Sequence, residues 1–161
     1  MTFVGSLENV IIIPALTGLG APHWKPEVRG AIFGLTRNTS IAEIVKATID
    51  SIAYQTYDLV KCMELDSGRK ITEMRVDGGM INNNNFVQSL SDILQIKIIV
   101  PNNNETTALG AAYLAALSCG LLKNTNSITK LWKSKKIIKA SINKKNIKKS
   151  LKKWHDSMSK L

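Results

Sequence analysis

The chain has 161 residues, of which 44% are hydrophobic and 21% charged, with a formal net charge of +10 at pH 7. This length and balance are typical of one soluble globular domain and exclude a chain that is mostly disordered. Residues 123–161 hold 13 lysines and one acidic residue, a net charge of +12, which leaves a net charge of −2 for residues 1–122. The overall charge therefore gives no reason to expect a nucleic acid as partner of the body.

The two cysteines, Cys62 and Cys119, lie among apolar neighbours, and neither has the spacing of a metal site. Such isolated cysteines favour a reducing compartment, so we expect a cytoplasmic protein. The apolar run at residues 10–16 is too short to cross a bilayer and contains Pro14. We expect no metal ligands in this chain and no association with a membrane.

The first forty residues predict two strands separated by a loop. The β-branched run at residues 9–14 is typical of a buried strand, and a second strand is expected at residues 30–35. The glycines and prolines of residues 15–26 predict the loop between them. His23 in this loop is the only histidine of the body, and no Ser or Asp pattern accompanies it, so a packed or solvated role is favoured over chemistry.

A long amphipathic helix is predicted next. Ser40 and Glu43 have the spacing of a capping box, in which each residue satisfies a backbone N–H of the other. Apolar residues then recur at helical spacing from Ile41 to Met63, and Gly68 is a plausible end. The wide apolar stripe predicts that this helix packs against a sheet.

The central stretch has the pattern of a strand, a glycine turn and a helix. An alternating apolar run at residues 71–76 ends before Gly78 and Gly79, and a helical pattern runs from Asn83 to Leu94. Adjacent glycines allow a sharp turn and the close approach of a flat ligand, and the helix start favours a negative or polar ligand group. On these residues alone, a simple connection with Asn83 as N-cap is the favoured explanation.

A further strand and helix follow. Residues 96–101 predict a strand parallel to the preceding one, because a helix separates the two. Residues 108–117 predict a helix of small residues that ends by Gly120, and close packing on a sheet explains those small residues as well as a ligand would. Glu105 precedes this helix, where a carboxylate suits the positive end of the dipole. The alternation of strands and helices predicts a layered α/β domain.

Four ordered segments resemble the C-terminal domain of the FGGY family of carbohydrate kinases, and within that family they are most similar to the glycerol kinases. His23 stands where that group usually has a tyrosine, and Leu16 where it has a phenylalanine. Four motifs in the right order are more specific than any one of them, and the resemblance covers about residues 9–122. The segments are residues 13–24, 29–50, 75–79 and 105–112.

The resemblance implies an α/β fold of the actin-like, ribonuclease H-like ATPase type, as the C-terminal half of a two-domain sugar kinase. It implies an ATP-dependent phosphotransferase that converts glycerol to glycerol 3-phosphate, with ATP as co-substrate and Mg²⁺ in the complete enzyme. Residues 1–122 would form the nucleotide-binding domain, incomplete at its N-terminus, and residues 123–161 a Lys-rich helical tail.

The resemblance also implies which residues bind ligands. Gly79 and Asn83 match positions that bind the nucleotide, Gly78 is needed for the turn, and Asp77 anchors the turn through local hydrogen bonds rather than acting as a base. The family's phosphate loop, glycerol contacts and catalytic Asp lie in its N-terminal portion, which no segment here matches. We therefore expect a fragment or split half without catalytic residues, whose partners are ATP or ADP, a polyol and the missing N-terminal portion.

The tail is denser in lysine than the family pattern. Its apolar residues recur at helical intervals, and Trp154 matches a tryptophan near the family's C-terminus. A basic amphipathic helix can contact anionic lipid or nucleic acid, but a solvated helix is favoured because blocks of like charge are usually solvated. We expect neither partner. The alternative to a kinase is a catalytically inactive nucleotide-binding or interaction module whose basic tail finds a partner.

Overall fold

The computed structural model describes residues 10–161, which form five strands, five α-helices and a 3₁₀ turn. The strands are β1 (Ile11–Ile13), β2 (Ala31–Phe33), β3 (Glu73–Arg75), β4 (Lys97–Pro101) and β5 (Ser134–Ile138). The helices are α1 (Ile41–Ser67), α2 (Asn84–Leu94), α3 (Thr106–Ser118), α4 (Thr125–Leu131) and α5 (Lys144–Met158), with a 3₁₀ turn at Gly79–Asn82. Residue 9 of the first predicted strand lies outside the described residues.

The strands form two sheets. β1 and β2 pair antiparallel, with Ile12 opposite Ile32. β4 is the central strand of the second sheet: β3 lies parallel to it, with Met74 opposite Ile98, and β5 lies antiparallel on its other side. The parallel pairing predicted for residues 71–76 and 96–101 is confirmed.

The start and end of α1 follow its sequence pattern. The backbone N–H of Glu43 donates to the Ser40 hydroxyl at 3.3 Å, and the Glu43 carboxylate accepts from the Ser40 backbone N–H at 2.8 Å. The helix ends at Gly68, whose φ of 64° lies in the left-handed region that glycine adopts readily. Helix α1 contacts β1 and α2, so its predicted packing against a sheet is confirmed.

The apolar core is centred on α2, which contacts α1, α5, β4 and β5. The predicted apolar face of α2 is buried from Phe86 to Leu94. Helix α3 differs, because none of its residues is buried although it is rich in alanine and leucine. The largest fully buried apolar side chains therefore come from elsewhere, namely Ile13, Val87, Ile98 and Trp154.

Residues 123–161 differ from the solvated helix that the lysine density suggested. The segment contains β5 as well as α4 and α5, and β5 joins the central sheet through β4. The apolar residues that recur at helical spacing form the inner face of α5 and are buried in the core. They are Ile147, Leu151, Trp154 and Met158. The lysines occupy the other positions, so a count of charges concealed a well-packed face.

Candidate nucleotide-binding site

The glycine turn follows the end of β3 and is fixed at both of its ends. The backbone N–H of Val76 still donates to the Ile99 carbonyl of β4 at 3.2 Å. Gly78 then turns the chain with φ of 86°, and Gly79 begins the 3₁₀ turn. Ile81 of this turn is buried in the core. The turn is therefore anchored by the sheet before it and by Ile81 after it.

The two glycines differ in why they are needed. At Gly78 the positive φ disfavours any residue with a Cβ. Gly79 has no positive φ, and a Cβ added there would meet no described atom within 4 Å. The fold itself therefore does not require glycine at position 79. Open space above a bare backbone is what a ligand needs in order to lie directly on the turn.

Asn83 is the N-cap of α2, as predicted. Its side-chain oxygen accepts from the backbone N–H groups of Asn85 at 3.0 Å and Phe86 at 3.2 Å. Its amide nitrogen makes no hydrogen bond to the described residues, so this group remains a donor on an exposed residue. The site thus offers an amide donor one helical turn beyond the glycines.

A groove of about 770 Å³ lies beside Asn83, between α1, α2 and the start of α5. Its polar side chains bond to one another: Asp50 accepts from Lys46 and from Ser89, each at 2.5 Å. Tyr54 closes one part of the groove. Burial raises the pKa of Tyr54 to about 12, with a further contribution from the negative charge of Asp50.

Asp77 anchors the turn, but through a distant partner. Its carboxylate accepts a hydrogen bond from the hydroxyl of Thr106, 29 residues away at the start of α3. The sequence suggested local hydrogen bonds for Asp77, and this pairing between separate elements was not expected. Glu105 is the N-cap of α3 by position, and its side chain makes no capping hydrogen bond.

Side chains of the tail lie near both sides of the turn. The Arg75 guanidinium at the end of β3 lies 4.2 Å from the ring centroid of Trp132. The Lys136 ammonium donates to the Asn84 side chain at 3.1 Å, beside the start of α2. Sequence reasoning did not select these residues, because one lysine among 13 carries no distinguishing pattern. Thr106 lay within a matching segment but was given no role.

His23 is packed, with a partner that its neighbours in sequence did not reveal. Its Nε2 lies 3.0 Å from Asp58 Oδ2 on α1. The same buried carboxylate accepts from Trp154 Nε1 at 2.7 Å, and His155 Nε2 lies 2.8 Å from Oδ1. This cluster joins the loop, α1 and α5, and it includes no residue of the glycine turn.

The described part of the chain has no cluster of side chains that would hold a metal ion without the nucleotide. Within residues 10–161 no group of three or more His, Cys, Asp or Glu side chains is placed to hold a metal ion. Asp77, the carboxylate next to the glycines, is already bonded to Thr106. Any Mg²⁺ that accompanies the nucleotide therefore finds no ligand cluster in the described part of the chain.

The C-terminal domain model of the FGGY family of carbohydrate kinases matches residues 5–119. This chain belongs to that family. The glycerol kinase of Alcanivorax borkumensis is 44% identical over 158 residues, which are 98% of this chain and 32% of that protein. The glycerol kinase of Paraburkholderia xenovorans is 51% identical over 126 residues, which are 78% of this chain and 25% of that protein.

A solved structure supports the same assignment. The crystal structure of Plasmodium falciparum glycerol kinase with ADP matches 96% of this chain and 31% of that chain, with a TM-score of 0.86 and 35% identity. The predicted family and the actin-like α/β fold class are therefore confirmed. The chain spans about a third of the length of the curated relatives. The roles of Gly78, Gly79 and Asn83 stay predictions.

Proposed function

We propose that this FGGY family chain provides the adenosine-binding part of an ATP-dependent kinase whose acceptor is glycerol. The observation that carries the proposal is the glycine turn after β3, where the open backbone at Gly79 lies one helical turn before the exposed amide of Asn83. The choice of glycerol is supported by relatives that are glycerol kinases at 43–44% identity. The choice of an adenine nucleotide is supported by the matching structure with ADP.

The chemistry of the turn suits the nucleotide. The Asn83 side-chain oxygen already accepts from the backbone N–H groups of Asn85 and Phe86, so the donor left for a polar ligand atom at the helix start is the Asn83 amide. The Gly79 backbone and the Asn83 amide would contact the adenosine side of ATP, with Gly78 setting the direction of the turn. Lys136 of β5, whose ammonium donates to Asn84 at the start of α2, adds positive charge nearby.

Phosphoryl transfer requires groups other than these. It needs a base for the attacking hydroxyl, Mg²⁺ near the phosphates and donors on the transferred phosphoryl group. Asp77 accepts a hydrogen bond from Thr106 through one carboxylate oxygen, and we assign it the role of anchoring the turn rather than that of the base. We propose that these groups belong to the portion of the relatives that this chain does not match, in the same or a separate polypeptide, and that this chain alone transfers no phosphoryl group.

The cysteines and the helices bear on the cellular location of the protein. Cys62 and Cys119 are free thiols, which supports a cytoplasmic location. Among residues 10–161, no helix combines the length and apolar character that a bilayer crossing requires. The proposed partners are ATP or ADP, glycerol and the kinase portion that completes the cleft.

Replacing Gly79 tests the site directly. We expect Gly79→Leu to weaken ADP binding by more than about tenfold, a loss of about 1.4 kcal/mol, because the side chain occupies the ligand's place. Isothermal titration calorimetry on the full chain measures this. Gly20→Leu is the control, since Gly20 also has open space around it and lies in the loop before β2. Equal ADP affinity in wild type and Gly79→Leu would show that the nucleotide does not lie on the turn.

Complementation tests the reaction. The chain is mixed with a separately produced N-terminal portion of the Alcanivorax borkumensis glycerol kinase, and the formation of glycerol 3-phosphate from ATP and glycerol is measured. Activity in the mixture, absent from each part alone, supports the kinase. ADP binding without complementation would instead favour the inactive nucleotide-binding module.

A further inference from the structure

The bond between Asp77 and Thr106 is the starting observation. Asp77 is the last residue before the glycines, and Thr106 is the first residue of α3. Among the described residues, this is the one side-chain hydrogen bond made by residues 76–82. The turn is otherwise held by backbone hydrogen bonds and by the burial of Ile81.

The glycines cannot fix their own direction. They have no side chains to pack, and glycine has more backbone freedom to lose than any other residue. A Cβ placed on either glycine would meet no described atom within 4 Å, and the Gly78 carbonyl accepts from the Ile81 backbone N–H at 3.4 Å, so backbone contacts rather than side-chain packing hold them. Ile81 holds the far side of the turn, and the carboxylate of Asp77 holds the near side.

Thr106 is a suitable anchor because its own position is fixed. The Asn103 side chain accepts from the Glu105 backbone N–H at 2.9 Å, which sets the start of α3. The backbone N–H of Asn102 donates to the Lys133 carbonyl at 2.9 Å, which ties this connection to the segment before β5. The hydroxyl of Thr106 is therefore presented from a supported segment, even though α3 itself has no buried residue.

We propose that Thr106 is a positioning residue for the nucleotide turn. Its hydroxyl holds the Asp77 carboxylate and thereby fixes the direction in which the Gly78 and Gly79 backbone meets the ligand. This inference rests on the proposed function. It assigns Asp77 the role of a hydrogen-bond acceptor, in which its negative charge is not required.

The first experiment removes the hydroxyl. Thr106→Val has nearly the same shape and no donor, and we expect it to weaken ADP binding to the full chain roughly three- to tenfold. Thr106→Ser restores the donor and should bind within about twofold of wild type. Thr107→Val is the matched control, since Thr107 is exposed and its side chain makes no hydrogen bond to the described residues.

A second measurement separates positioning from general stabilisation. The ¹⁵N order parameters of Gly78 and Gly79 should fall in Thr106→Val, while amide hydrogen exchange in α3 and the unfolding midpoint should match those of Thr107→Val. Loss of protection along the whole of α3 would assign Thr106 a structural role and overturn the inference. The amide readout needs no ligand, so it distinguishes these cases without relying on the nucleotide.

Two substitutions of Asp77 test the role of its charge. Asp77→Asn keeps an acceptor oxygen, so we expect ADP affinity within about threefold of wild type, whereas Asp77→Ala should weaken binding as much as Thr106→Val. Equal losses in both would show that the negative charge is required, against the inference. If the wild-type chain bound no ADP, the proposed function would fail and the inference with it. If wild type bound ADP and Thr106→Val bound it equally, the inference alone would fail.

Discussion

Asp58 and Asp77 are two carboxylates that accept hydrogen bonds from distant parts of the chain, but their surroundings are opposite. Asp58 is 7% exposed, and its partners are His23, Trp154 and His155. Asp77 is exposed, with Thr106 as its side-chain partner among the described residues. The first carboxylate lies in a buried, filled region, and the second lies in an exposed, open one.

The difference in burial predicts that Asp58 matters for the stability of the fold and Asp77 for the local geometry of the turn. A buried carboxylate is tolerated only when hydrogen bonds replace its lost water, so the partners of Asp58 must stay in place for the protein to remain folded. An exposed carboxylate keeps access to water, so the Asp77 bond contributes little to stability and is free to set local geometry. The buried hydrogen bonds of Asp58 therefore hold α5 on α1, and the exposed turn beside Asp77 is where we propose that the nucleotide binds.

The largest effect is expected in the filled region. Trp154 is fully buried, stacks on Tyr54 with ring centroids 5.2 Å apart and donates to Asp58. Trp154→Ala should lower the free energy of unfolding by about 3–5 kcal/mol, because it leaves a cavity and removes a buried donor. Chemical denaturation followed by circular dichroism measures this loss.

The control for that experiment is an exposed tryptophan. Trp24 is 73% exposed, and Trp24→Ala should change the free energy of unfolding by no more than about 0.5 kcal/mol. Similar losses for the two variants would break the distinction between filled and open regions. They would also indicate that α5 is only loosely packed on the rest of the domain.

The sequence predicted the features that are local in the chain. The capping box of Ser40 and Glu43, the glycine turn and the N-cap at Asn83 each depend on residues a few positions apart, so their geometry follows from spacing. The partners of Asp58 did not follow in this way, because Trp154 is 96 residues away. Pairing across that distance is decided by how α1 and α5 pack, which no local pattern records.

In residues 123–161 the lysine content gave a wrong prediction of burial, whereas the spacing of the apolar residues gave a correct one. Apolar residues of α5 recur at helical spacing, and this pattern correctly indicated one apolar face. The lysines between them suggested a solvated helix, although lysine is compatible with a helix that buries its other face. Strand β5 reads Ser-Lys-Lys-Ile-Ile, which lacks the alternation of a half-buried strand, so periodicity gave no signal for it.

A smaller effect is expected from titration of the filled region. Burial raises the pKa of Tyr54 to about 12, so its neutral form is favoured in the folded protein. Because the folded pKa lies above the unfolded value of about 10, this contribution to stability is complete below pH 10 and is lost as the pH rises towards 12. Wild type should lose about 2–3 kcal/mol more than Tyr54→Phe between pH 9 and pH 12.

Comparison of variants removes the effect of the many lysines, which titrate in the same range. Unfolding free energies are measured at pH 9 and pH 12 for wild type, Tyr54→Phe and Tyr113→Phe. Tyr113 lies on α3, where no residue is buried, so Tyr113→Phe should follow wild type. If Tyr54→Phe lost as much stability as wild type, the surroundings of Tyr54 would be open to water.

The smallest effect is expected at an exposed pair that resembles Asp77 and Thr106 in its surroundings. Two hydrogen bonds from Ser40 hold the pKa of Glu43 below its ordinary value of 4.5. The larger effect comes from the Ser40 backbone N–H and the smaller one from its hydroxyl. Ser40→Ala removes the hydroxyl and keeps the backbone N–H. The pKa of Glu43 should therefore rise only part of the way towards 4.5, and stability should fall by about 1 kcal/mol.

An NMR titration of the Glu43 carboxyl and a denaturation series measure the two effects of Ser40→Ala. A lowered folded pKa means that the contribution of Glu43 is present above pH 4.5 and is lost as the pH falls through the folded value. Ser118→Ala, at the exposed end of α3, is the control and should change neither quantity. A loss for Ser40→Ala as large as that for Trp154→Ala would mean that an exposed hydrogen bond stabilises this fold as strongly as a buried one. Thr106 would then have to be regarded as a structural residue of α3 rather than a positioning residue of the turn.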